Sequence, residues 1–132
     1  MGPEHRFPAA VDDCLAATRW VRDHSAELGL DASRLAVGGD SAGGNLAAVV
    51  ALSARESGDL PIVFQLLIYP ATDQHRRHPS HAENGQGYLL TVETMNYFAG
   101  HYIVVGTAGH YAVGLADSRG EPLRPGDGHR GC

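Results

Sequence analysis

The reading of this chain turns on Leu35-Ala36-Val37 running into Gly39-Asp40-Ser41-Ala42-Gly43-Gly44-Asn45. An apolar stretch, a Gly-x-Ser-x-Gly turn and a run of small residues together predict a strand, a sharp turn and a helix, the setting of a nucleophile elbow. In such a turn the serine takes a strained backbone conformation. Gly39 and Gly43 are expected on either side because a β-carbon there would strike the neighbouring strand or helix. Ser41 would then stand exposed at the carboxyl end of its strand, with Asp40 and Gly44 completing the local support. The helix begins at once, so the Ala42 amide is expected as a free donor at the positive end of a helix dipole, where a developing oxyanion is stabilised. The competing reading of the same residues is a tight strand-to-helix turn in which Ser41 serves only as a helix cap. The flanks favour the elbow: Arg34 to Gly39 reads as a short buried strand, and Ala42 to Arg55 as a helix of small and apolar residues.

Outward from this turn, 132 residues of which 43% are hydrophobic suffice for one modest domain with a packed core. Ten basic against fifteen acidic residues give a net charge of -5, without a run of lysine or arginine. That balance excludes an electrostatic nucleic-acid partner. No segment approaches the ~20 apolar residues of a membrane span, and the first residues lack a signal-peptide pattern, so a cytoplasmic address is expected. Cys14 and Cys132 form neither a metal spacing nor a disulfide framework and read as free thiols.

Before the elbow, Ala10, Cys14, Ala17, Val21 and Leu28 keep a helical period, and Pro8 opens and Gly29 closes a helix over Ala9 to Leu28 that is expected to pack on a sheet. Leu30 to Ser33 reads as a turn built on Asp31 and Ser33. After the elbow helix, Glu56 to Pro61 reads as a loop. Ile62-Val63-Phe64-Gln65-Leu66-Leu67-Ile68-Tyr69 then forms a continuous apolar run, the pattern of a strand buried on both faces. Helix, strand, helix, strand with short connections predicts parallel strands covered by helices, with the Ser41 turn at the carboxyl edge where ligands bind in such folds. The fold class is therefore α/β, with residues 1–70 as helix-strand-elbow-helix-strand core and 71–132 as loop, helix and irregular tail.

In that second part His75, His78 and His81 recur every third residue with Glu83 close behind, a spacing that raises a metal site. Pro79 argues against it, because it breaks any helix that would gather three imidazoles, and residues 71–87 are expected as a solvated loop with no metal. Thr91 is a plausible N-cap for a helix over Val92 to Ile103, where Met95, Phe98 and Tyr102 have helical spacing suited to packing. From Val104 onward glycine is frequent and apolar runs are short, which predicts irregular surface structure.

These residues carry a family resemblance. Pro3-Glu4-His5, Phe7-Pro8-Ala9-Ala10-Val11-Asp12-Asp13, Gly39-Asp40-Ser41-Ala42-Gly43-Gly44-Asn45-Leu46 and Leu67-Ile68-Tyr69-Pro70 resemble the middle of an α/β-hydrolase of the hormone-sensitive-lipase-like (GDXG) esterase and lipase family. Glu83-Asn84, Gly87-Tyr88-Leu89-Leu90-Thr91, Met95 and Phe98 follow the same pattern, as do, more loosely, Asp117, Arg119, Pro122-Leu123, Asp127 and Gly131. The resemblance implies a partial α/β-hydrolase fold and a carboxylic ester hydrolase without cofactor. Ser41 would attack a small acyl ester, form an acyl-enzyme and release it to water, with the Ala42 amide as oxyanion donor and Gly39 and Gly43 permitting the turn.

The resemblance also implies groups that these 132 residues do not hold: a His-Gly-Gly-Gly oxyanion loop upstream of Pro3, and a triad aspartate and histidine downstream. Glu121-Pro122-Leu123-Arg124 imitates the run around the triad aspartate, but the polar residues Ala116 to Gly120 precede it where a buried strand belongs. His129 reads as a solvated terminal histidine and His24 as a surface residue, so no histidine is assigned as the base. Turnover by this chain is accordingly expected to be weak. The alternative is a non-catalytic remnant that keeps the elbow without the triad. Two strands with unpaired outer edges also predict marginal stability or self-association.

Overall fold

The computed structural model describes residues 2–72 and 78–103. Their elements are α1 (Ala9–Asp23), α2 (Ser25–Leu28), a 3-10 turn (Ala32–Arg34), β1 (Leu35–Asp40), α3 (Ala42–Ser57), β2 (Ile62–Ile68), α4 (Pro79–Glu83) and α5 (Val92–Tyr102). β1 and β2 pair in parallel, from Leu35 opposite Ile62 to Asp40 opposite Ile68. A register irregularity after Leu35 lets β2 spend one more residue over the same length. The β1–α3–β2 unit is the expected crossover, and α3 lies against both strands.

The core forms on the α3 side. Leu35 of β1, Ala47, Val49, Val50 and Ala54 of α3, and Leu60 before β2 are buried. Small residues let the helix approach the sheet, and Gly38 shows how closely β1 meets β2: a β-carbon there would lie 3.3 Å from the Leu66 Cβ and backbone oxygen. Several local signals act as the sequence predicts. Asp31 accepts from the Ser33 amide at 3.0 Å, Thr91 Oγ1 accepts from the Thr94 amide at 3.2 Å, and Gly29 ends a helix with φ of 68°; Gly58, within the stretch expected as loop, ends α3 with the same φ.

Four expectations are corrected. The helix predicted over Ala9 to Leu28 breaks at His24, whose φ of -103° and ψ of 11° depart from helical values. Its ring stacks on Trp20 at 4.4 Å, with Nδ1 2.9 Å from the Trp20 carbonyl oxygen. Second, α1 packs on α3 and on the turn before β1 rather than on the sheet, and none of its residues is buried. Two strands about 5 Å apart offer width for one helix about 10 Å across, and α3 takes it.

The same geometry corrects β2, which is not buried on both faces: Val63 is 63% exposed, Phe64 61% and Leu66 52%. Among the described residues only α3 covers the sheet, so an apolar run that reads as a doubly covered strand is covered on one side. Fourth, α4 interrupts the loop expected over residues 71–87. Pro79 stands in its first turn, where a missing N–H costs nothing, so the residue taken as a breaker starts a helix. In α5, Tyr102 packs edge-on against Phe7 at 6.0 Å between ring centroids, whereas Phe98 remains 57% exposed beside Tyr97.

Candidate active site

The turn between β1 and α3 places Ser41 at the carboxyl end of the parallel pair, at φ 51° and ψ -115°. A non-glycine residue in this region costs on the order of 1–3 kcal/mol and persists only where its surroundings hold it. Both backbone groups of Ser41 are held. Its amide donates to the Ile68 carbonyl at 3.0 Å, and its carbonyl accepts from the Asn45 amide at 3.1 Å and the Ala71 amide at 3.0 Å. Ser41 occupies the N-cap position of α3, yet its side chain makes no capping hydrogen bond. The helix-cap reading of this serine is therefore excluded.

The glycines around it have unequal roles. A β-carbon on Gly39 would lie 2.5 Å from the Gly43 oxygen and 2.9 Å from the Gly44 nitrogen, inside the backbone of the starting helix. Gly39 is thus required as expected. Gly43 is not: a β-carbon there meets nothing within 4 Å, which corrects the symmetric role read from the motif. The second close approach belongs to Gly44, where a β-carbon would come to 3.0 Å from the Gly39 oxygen and 3.1 Å from Pro70 Cβ. Ala42 opens α3, so its amide is among the leading N–H groups that lack an intrahelical acceptor. Asp40 ends β1 opposite Ile68 and is exposed.

Three residues that the motifs contain without assigning them a role complete the turn. Tyr69 has φ 35°, a second strained residue directly after β2, and is 74% exposed. Pro70 packs against Gly44, and Asn45, only 7% exposed, donates from Nδ2 to the Ala71 carbonyl at 2.7 Å. The amide of Asn45 inside a small-residue helix was the available signal, because a buried amide requires a partner.

Four of the five described histidines have contacts elsewhere. His24 stacks on Trp20, His101 Nδ1 lies 2.7 Å from the Tyr97 carbonyl oxygen, and the His78 and His81 rings face one another at 6.3 Å. His75, His129, Cys132 and Glu121 to Arg124 lie outside the described residues. Among the described residues no group of three or more His, Cys, Asp or Glu side chains is placed to hold a metal. Nor is any described helix long and apolar enough to cross a membrane. Cys14 is a free thiol held above its ordinary range by burial and then by Asp13, and Tyr102 is pushed up by burial with Cys14 nearby.

Parallel strands, an interposed helix and a strained serine at their carboxyl edge define an α/β-hydrolase arrangement, and the chain belongs to the α/β hydrolase fold family, whose sequence model matches residues 1–123. Esterase LipI of Mycobacterium tuberculosis is 50% identical over 102 residues, covering 77% of this chain and 32% of that protein. Ethyl acetate hydrolase of Pseudomonas putida is 45% identical over 107 residues, covering 80% of this chain and 33% of that protein. The hyperthermophilic esterase from Pyrobaculum calidifontis superposes with a TM-score of 0.76 at 41% identity, over 82% of this chain and 36% of that one. The family resemblance drawn from the motif residues is thereby borne out. The chain spans about a third of the length of the relatives it matches.

Proposed function

We propose that this chain carries the nucleophile-bearing segment of a carboxylic ester hydrolase acting on small acyl esters. Ser41 Oγ attacks the ester carbonyl, the carbonyl oxygen takes up negative charge beside the Ala42 amide at the start of α3, and the alcohol leaves. Water then attacks the acyl-serine and releases the acid. The observation that carries this reading is the conformation of Ser41: strained, held by three backbone hydrogen bonds, and with a hydroxyl that caps nothing. Gly39 lets the helix start pass close to the strand, and Gly44 lets Pro70 approach it.

The proton from Ser41 needs an acceptor, and His24, His78, His81 and His101 make their contacts elsewhere. Loss of triad partners lowers serine-hydrolase rates by about a millionfold, with oxyanion binding sustaining some rate above water. This observation favours a second reading, a non-catalytic remnant that keeps the elbow. A fluorophosphonate probe separates them: adduct formation at Ser41 in the unmodified chain, lost in Ser41→Ala, supports the hydrolase reading. An unlabelled, folded chain overturns it for this polypeptide.

The exposed residues Val63, Phe64 and Leu66, with outer edges of β1 and β2 that are unpaired among the described residues, further support self-association. Sedimentation velocity should show concentration-dependent species that Phe64→Thr reduces; a monomer at all concentrations rejects this part. A cytoplasmic setting completes the proposal, on two cysteines without a disulfide-framework spacing.

A further inference from the structure

We infer that Asn45 is a positioning residue for Ser41, acting through the turn that follows β2; this rests on the reading of Ser41 as nucleophile. Asparagine is a poor residue for a helix of alanine, leucine and valine, and burying its amide is unfavourable unless it is bonded. Here the burial has a use. Three hydrogen bonds close a circuit: Asn45 N–H to the Ser41 carbonyl at 3.1 Å, Ala71 N–H to the same carbonyl at 3.0 Å, and Asn45 Nδ2 to the Ala71 carbonyl at 2.7 Å. The side chain of Asn45 is the one link in that circuit that substitution can remove without touching the backbone.

The circuit spans two strained residues, Ser41 at φ 51° and Tyr69 at φ 35°. Left to itself, the Tyr69-Pro70-Ala71 turn gains by relaxing toward negative φ at Tyr69, which carries the Ala71 amide away from Ser41. Asn45 Nδ2 opposes that movement by holding the Ala71 carbonyl, and Gly44, where a β-carbon would approach Pro70 to 3.1 Å, keeps the turn and the helix start in contact. Ser41 therefore keeps its strained backbone because the β2 turn is tied to its own helix.

The experiment compares the unmodified chain with Asn45→Ala and with Asn45→Asp, which keeps the shape and removes the donor. The maximal rate of fluorophosphonate labelling at Ser41 should fall about tenfold or more in both variants, with half-saturating probe concentration unchanged. Amide hydrogen exchange should quicken about tenfold at Ser41 and Ala71 relative to Val50 and Ala54 of the same helix. A purely structural role would lower the melting midpoint with the maximal labelling rate and the local exchange unchanged, and that result overturns the proposal. If the unmodified chain takes no label, the nucleophile reading fails by itself, and the exchange rates alone decide the role of Asn45. If neither variant folds, protection is measured in the unmodified chain: an Ala71 amide exchanging at the free-peptide rate overturns the proposal, and one protected to the level of Val50 supports it.

Discussion

The two faces of β2 put the same kind of residue under opposite conditions. Toward α3, the small residues Ala47, Val49, Val50 and Ala54 close against the strands and are 2–6% exposed. On the strand itself, Phe64, Leu66 and Ile68 are 42–61% exposed although they are larger and more apolar. Hydrophobicity therefore selects residues for covering, but burial follows from what is placed opposite them. The first face meets a helix of matching width. Among the described residues no helix other than α3 packs extensively on the sheet.

Four substitutions probe that contrast and a fifth tests the surface, beginning with the tightest contact on the sealed side. Gly39→Ala places a methyl group inside the backbone of Gly43 and Gly44 and should destabilise the fold by about 3 kcal/mol or more, as overpacking against unyielding backbone does. Gly43→Ala enters open space in the same helix and should be neutral or stabilising by up to about 1 kcal/mol. Urea melts of the two variants decide whether the turn needs both motif glycines or only the first. Equal losses would break the distinction.

Next in size, Val50→Ala removes a side chain that is 3% exposed and should cost about 2 kcal/mol, whereas Phe64→Thr removes one that is 61% exposed and should cost less than about 1 kcal/mol. Chemical denaturation at matched concentrations tests this. A larger loss from Phe64→Thr would mean that the open face is covered in solution.

The smallest effect is at the surface, where Arg19 donates to Asp59 at 2.8 Å, Ser57 also donates to it, and Arg22 reaches its carbonyl at 2.6 Å. The Arg19 hydrogen bond and then that of Ser57 lower the Asp59 carboxyl to about 2. A depressed carboxyl favours the folded state above its unfolded pKa of about 4 and loses that contribution as pH falls toward about 2. Asp59→Asn should therefore lower the melting midpoint slightly at pH 7, where the carboxylate contributes, and flatten its fall between about pH 4 and pH 2 by the same small amount. An unchanged acid limb would remove Asp59 from the account.

Much of this was legible along the chain because it depends on neighbours in sequence. The caps at Asp31, Gly29 and Thr91, the strands, and the strand-turn-helix around Ser41 follow from residues within a few positions of one another. The His24 break was less visible, since it depends on a ring stacking back on Trp20. Pro79 shows a different limit: proline stops a helix from within and starts one from its first turn, and only the position of the turn decides which. Asn45, Tyr69 and Ala71 were passed over as site residues because their partners lie across the β1–β2 crossover, 26 positions apart in the case of Asn45 and Ala71.

By itself the sequence determined the family, the α/β alternation and the serine at the elbow, since a Gly-x-Ser-x-Gly turn between a strand and a helix is a local pattern read over a dozen residues. Tertiary structure alone decided which glycine the turn requires, which face of β2 is sealed, and how Ser41 is kept strained. Those depend on distances between segments remote in sequence: the helix backbone over Gly39, the single helix that two strands can seat, and the β2 turn tied to Ser41 through Asn45.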